Sequence, residues 1–177
     1  QGLVALGREQ LTVSDRIALR TATVSLVGVD GDLNQVLFSN LFRWSGGNAT
    51  ALTRLVSETN VVVISQGLSE ALDLQVGDTL RVGGTGTDHT RQMTIVGVAS
   101  RVPGFSNYFT RNSSDASRSG ILMNMAAYRE LQDDPSDGPA DADADVLTKL
   151  MATTQTGVNE TTLLRDLRTF LGSKTSI

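Results

Sequence analysis

Residues 61–84 read VVVISQGLSEALDLQVGDTLRVGG, and their interpretation decides the fold. Val61 to Ile64 is a short β-branched run, the composition of a buried strand. Ser65 follows at once, and its hydroxyl can accept from an orphan amide of a helix's first turn. Leu68, Ala71 and Leu72 then recur at helical spacing, which predicts one inward face. Gly77-Asp78 is turn chemistry. Beyond it Leu80 and Val82 alternate with Thr79 and Arg81, the period of a half-buried strand. The stretch is therefore strand, short helix, turn, strand. A glycine-rich loop, GGTGTDHT at 83–90, leads to a second strand in RQMTIVGVASRV at 91–102.

A glycine-rich loop after a strand can cradle a phosphate. This one lacks the lysine that a phosphate-binding loop needs, and a strand follows it where a helix is required. The dinucleotide fingerprint fails for the same reason. GSKT at 172–175 ends a helical pattern and opens none. The loop is read as a hairpin connection with no cofactor.

Working outward, residues 3–29 are expected to be largely extended. In RTATVSLVGVD (20–30), Thr21, Thr23 and Ser25 alternate with Ala22, Val24 and Leu26, and Asp30-Gly31-Asp32 closes the run. Leu33 to Trp44 is read as irregular or a short helix. A helix is expected from about Asn48, with Leu52, Leu55 and Val56 inward. Met93 to Ala99 is apolar on both faces and should be central. SGILMNMAAYRELQ (119–132) is a strand running into a helix with Ala127, Tyr128 and Leu131 inside, and VLTKLMATT (146–154) is strand-like. The last helix carries Leu163, Leu164, Leu167, Phe170 and Leu171 on one stripe, capped by Asn159 or Thr161.

Composition narrows the chemistry. The 177 residues contain no cysteine, which removes disulfides, thiolate metal sites and thiol nucleophiles. The single histidine, His89, sits in a polar loop. No G-x-S-x-G, Ser-x-x-Lys or H-E-x-x-H pattern occurs. No apolar run approaches the roughly 20 residues of a membrane span. No basic-then-apolar leader opens the chain, as expected of a cytosolic protein or a piece of a longer one. Net charge is −4, but DDPSDGPADADAD (133–145) holds six aspartates, leaving 13 acids against 15 bases elsewhere. Nucleic-acid binding has no support in that balance.

Two segments stand out. Asp141, Asp143 and Asp145 alternate as calcium ligands can. Counted from Asp141, however, an EF-hand loop has Val146 at its sixth place and Ala152 at its twelfth. Counted from Asp133 it has Pro135 at the third and Ala144 at the twelfth. The stretch reads as a solvated acidic loop, with a weak hard-cation site as the alternative. Six of the eight aromatics cluster, as Phe38, Phe42 and Trp44 and as Phe105, Tyr108 and Phe109. Each group either plugs a small core or, for VPGFSNYF at 102–109, forms a partner-binding tip.

The order of elements resembles the extracytoplasmic domain of ABC-transporter permeases of the MacB/FtsX type. The resemblance is carried by the Val61–Ile64 strand, the serine-capped helix from Ser65, the Leu-x-x-Gly-Asp turn at 74–78 and the Ile95–Val98 strand. VSLVGVD upstream and TTLLRDLRTFLG at the end also fit. The resemblance implies an α+β fold with two lobes: a mixed α/β, membrane-proximal lobe of residues 1–65 plus 119–177, and an inserted β-rich lobe of residues 66–118. It implies a bacterial domain outside the cell membrane, between transmembrane helices, that is not an enzyme and binds no cofactor. Implied partners are a cytoplasmic ATP-binding subunit or domain and an envelope protein, peptide or lipoprotein. The whole permease would be dimeric and the isolated domain monomeric. Its roles would be export, lipoprotein release or envelope signalling. The acidic loop and the VPGFSNYF segment depart from the family pattern. Two other classes stay open on the residues alone: a free-standing secreted module that binds a peptide or glycan, and an aspartate-dependent hydrolase. Flanking apolar spans distinguish the first reading from both.

Overall fold

The computed structural model describes residues 3–14, 20–36, 42–83, 90–102, 120–132, 149–152 and 157–171. In chain order the elements are β1 (Leu3–Ser14), β2 (Thr21–Asp30), α1 (Leu33–Val36), β3 (Arg43–Gly46), α2 (Thr50–Ser57), β4 (Val61–Ser65), α3 (Gln66–Leu72), β5 (Thr79–Gly83), β6 (Thr90–Arg101), β7 (Gly120–Asn124), α4 (Met125–Gln132), β8 (Lys149–Ala152) and α5 (Glu160–Leu171). Sheet and helices combine here as the α+β expectation drawn from the family resemblance required.

Six strands close on themselves. β1 pairs antiparallel with β2, β2 parallel with β7, β7 antiparallel with β4, β4 parallel with β6, β6 antiparallel with β5, and β5 antiparallel with β1. Closure removes the free edges that an open sheet must protect. The 12 residues of β1 make it possible. Along one side it pairs with β2, while its other side takes β5 near Val13 and β8 near Leu3. β3 is added on the outer part of β6, with Trp44 opposite Ala99. Because β5 and β6 belong to this ring, the described part of segment 66–118 is joined to both flanking segments through one continuous sheet.

All six ring strands contribute to the interior. Val13, Val24, Leu26, Val62, Ile64, Leu80, Val82, Met93, Ile95, Ile121 and Met123 are buried there in one cluster. Short helices stop both ends. At one, Leu68 and Leu72 of α3, with Leu74 just beyond it, join the interior; at the other, Met125, Ala127, Tyr128 and Leu131 of α4 do so. Gly28 makes room for the second plug: a Cβ there would lie 2.7 Å from Tyr128 Cγ and 2.9 Å from Met125 Sδ. A second core lies outside the ring, where Leu33 of α1 and Ala51, Leu52 and Leu55 of α2 cover Val27, Val29, Val61, Val63 and Leu122. Strand β4 is thus buried on both faces, as its unbroken β-branched run required. Each fully buried aliphatic side chain is worth about 1.5–3 kcal/mol.

Strand β6 shows how the two cores share one strand. Val62 pairs with Ile95 but Val63 pairs with Gly97, so Val96 is an inserted residue. The insertion shifts the period-two alternation. Ile95 and Val98, three apart, therefore face the interior, while Val96 and Ala99 face the outer core.

Some sequence expectations are corrected. Trp44 lies in a strand, β3, in place of an irregular or helical segment. Val56 is exposed, because Ala51, Leu52 and Leu55 already form the buried stripe of α2. Ala71 is exposed as well, since Leu72 closes the last turn of α3 before the chain reverses. In α5, Leu164 is exposed and Leu163 half-buried. The side chains of Leu167, Phe170 and Leu171 lie outside the described residues. Asn159 is the cap of α5, its Oδ1 accepting from Thr162 N at 3.2 Å.

Candidate partner-contact surface

Strand direction gives the ring two distinct ends. Leu3, the first residue of β1, pairs with Ala152, the last of β8. Following the pairings around the ring, this near end also holds the starts of β4 and β6 and the passage from β7 into α4. At the far end lie the ends of β1, β4 and β6, the starts of β2, β5 and β7, helix α3 and strand β3. Ser14 and Arg101 end their strands at that far end, and Thr21 and Gly120 begin theirs there.

Local chemistry builds its described surface. Ser65, almost fully buried, accepts from Leu68 N at 3.3 Å and starts α3 where β4 stops. Asp73 ends the helix in the left-handed region with φ 55°. Ser69 then anchors the exit, its Oγ donating to Leu74 O at 2.5 Å. Buried Leu74 pins one end of the Leu-x-x-Gly-Asp turn. Gly77 supplies φ 97°, and the Asp78 carboxylate accepts from Gln75 N at 2.8 Å. Gly77 N donates to Ile95 O at 2.8 Å and Ile95 N to Asp78 O at 2.9 Å, so the turn is fastened to β6. The motif is a structural clamp that delivers β5 into the ring.

Around this clamp the surface carries charges of both signs and the exposed Val76. Arg20 faces Asp73 at 3.7 Å with both side chains exposed. Ser45 Oγ donates to Gln66 Oε1 at 2.7 Å, and Gln66 Nε2 donates to Glu70 Oε1 at 2.7 Å. Arg43 and Arg101 stand opposite each other across the β3–β6 pair, and both are exposed. Phe42 and Trp44 stack with ring centroids 5.6 Å apart and an interplanar angle of 10°. Phe42 is buried in the outer core and Trp44 packs against it, so these two are core plugs.

The clearest pKa shifts belong to a surface pair on α2. A hydrogen bond from Arg54 lowers the Glu58 carboxyl, and the same bond raises the Arg54 guanidinium. Among the described residues no group of three or more His, Asp or Glu side chains could hold a metal ion. Nor is any described helix long and apolar enough to cross a membrane. The other sequence candidates lie outside the described residues: Phe105, Tyr108 and Phe109 in segment 103–119, Asp141, Asp143 and Asp145 in segment 133–148, and Phe38 and His89. Sequence reasoning did not single out Arg43 and Arg101. They are 58 positions apart in the chain and meet only because β3 pairs with β6.

The family model of the MacB-like periplasmic core domain matches residues 4–170. Among solved structures, the chain is similar to the extracellular domain of the noncanonic ABC-type transporter YknZ from Gram-positive bacteria. That match has 16% identity and a TM-score of 0.55, covering 97% of this chain and 76% of that one. It is also similar to the periplasmic region of MacB from Actinobacillus actinomycetemcomitans, with 14% identity and a TM-score of 0.58, covering 97% of this chain and 65% of that one. At these identities the structural likeness is one of fold. No curated protein matches the sequence.

Proposed function

The chain belongs to the MacB-like periplasmic core domain family, and on that premise we propose that it works as a mechanical arm of an ABC-transporter permease. In this reading a cytoplasmic ATPase supplies the energy. Transmembrane helices joined to the near end transmit the motion, and the far end meets an envelope protein, peptide or lipoprotein. The outcome is export, lipoprotein release or signalling across the envelope. No bond is made or broken in the domain itself.

The observation that carries this reading is the pairing of Leu3 with Ala152. A domain held by membrane helices on both sides must bring chain entry and exit to one face. Here β1 begins beside the end of β8, the last strand before helix α5. The construction also suits force transmission. A closed ring has no edge strand to peel, helices plug both mouths, and a second core stiffens one wall. The segments 103–119 and 133–148, with Phe105, Tyr108 and Phe109 in the first and Asp141, Asp143 and Asp145 in the second, would supply what is particular to this member.

The test is the full reading frame. An apolar helix of roughly 20 residues is expected shortly before residue 1 and another shortly after residue 177. Reporter fusions within 1–177 should register on the extracytoplasmic side. Polar flanks on both sides would instead leave a free-standing secreted module.

A further inference from the structure

We propose that Arg43, Arg101 and the outer edge of β3 form a docking site for an extended acidic segment of a partner protein. The site deepens the reading above and rests on it, because that reading presents the far end to partners.

Residues directly opposite in an antiparallel pair are the closest side-chain neighbours in a sheet, and like charges there are destabilising. Arg43 and Arg101 occupy such positions, and both are exposed. Among the described residues neither side chain has a hydrogen bond or ion pair. Arg20, Arg54, Arg91 and Arg165, by contrast, each have an acidic partner in reach. Like charges are therefore set as Cα partners, at a point where the register of the pair shifts, and no acidic side chain among the described residues offsets their mutual repulsion. A counter-charge from outside relieves it, and paired guanidinium groups match carboxylates through charge-assisted hydrogen bonds.

The backbone beside them points to the form of the ligand. β3 pairs only with β6, so its other side is unpaired among the described residues. An extended segment can add there as a further strand, with every second side chain on the arginine face. Lipid phosphate is the other abundant source of negative charge. The near-end anchoring, however, places the bilayer at the opposite end of the ring, and this favours a protein.

A peptide of eight alternating glutamate and valine residues serves as probe for the 177-residue chain, followed by amide NMR shifts. We expect saturable changes confined to residues 42–47 and 99–102, weakened by salt. They should vanish when glutamine replaces the peptide's glutamates, and in the Arg43→Gln/Arg101→Gln variant. Arg101→Glu should abolish peptide binding while raising Tm by about 1–3 °C, since it turns a repulsive pair into an attractive one. Absence of shifts at millimolar peptide overturns the proposal, as does binding that survives the double glutamine variant. A fall in Tm for Arg101→Glu likewise overturns the repulsion argument. Arginine-dependent binding to anionic vesicles without peptide binding assigns the pair to lipid and overturns the protein site. None of these outcomes bears on the near-end anchoring, which is measured separately below.

Discussion

Replacing Gly97 by alanine tests the packing between the ring and its outer layer. A Cβ at Gly97 would lie 2.7 Å from Trp44 Cζ3, 3.1 Å from Ala51 Cβ and 3.3 Å from Val63 Cγ2. Carbon atoms prefer about 3.5–4.0 Å, so the new methyl is roughly 1 Å too close to the indole and several tenths too close to the rest. The three neighbours differ in their freedom to move. Val63 is fixed inside β4, and Ala51 moves only if α2 lifts. Trp44, half-buried at the rim of the outer core, can swing outward. Overpacking of this kind costs about 1–3 kcal/mol. Loss of glycine's unfolded-state freedom returns about 0.4–1 kcal/mol. The net expectation is a destabilisation of about 1–2 kcal/mol, or a Tm lower by roughly 2–8 °C. Trp44 is the only tryptophan, so intrinsic fluorescence reports on this one contact. Its emission should shift to the red as the ring is pushed toward water. A Gly97→Ala variant with unchanged stability and unchanged emission would refute the placement of Trp44 over β6.

Three further outcomes follow from local geometry. Ser65→Ala removes the cap of α3 and strands a buried amide, so urea midpoints should fall by the equivalent of about 1–2 kcal/mol at constant slope. Asp73→Gly relieves a left-handed residue at the helix end and should raise stability by up to about 1 kcal/mol, since the Arg20 contact it gives up is exposed and weak. The Glu58 carboxyl is lowered by its bond from Arg54, so its contribution is present above the ordinary glutamate value of 4.5 and fades as pH falls through the lower folded value. A carbon-detected NMR titration should find Glu58 titrating below the ordinary glutamate value, and Arg54→Gln should move it back toward that value.

Much of the fold was legible because its signals are local. The β-branched run of β4, the serine cap of α3 and the 74–78 turn each announce themselves within a few residues, and each was placed correctly. What escaped depends on distant pairing. Nothing near Trp44 says that four residues will join β6, and without that partner the segment reads as irregular. The closure of the ring was equally hidden, because it needs β1 to serve β2, β5 and β8 at once. Helix faces were overestimated for a simpler reason. Apolar spacing marks where a side chain could be buried, while the neighbouring layer decides how wide the buried stripe is, and under α2 it stops short of Val56. The contact surface was the least legible part, since Arg43 and Arg101 look like ordinary surface charges until the sheet sets them side by side.

Depth relative to the bilayer tests the central claim most directly. Residues 1–177 contain no cysteine, so single cysteines placed at Asn60 and at Asp73, in a full-length protein with any cysteine outside 1–177 replaced by serine, can each carry one fluorophore. Both positions are exposed, the first just before β4 at the near end and the second just after α3 at the far end. In liposomes containing nitroxide-labelled lipids, the label at 60 should be quenched strongly and the label at 73 hardly at all. Equal quenching, or stronger quenching at 73, would contradict an arm anchored by the end where β1 begins and β8 stops.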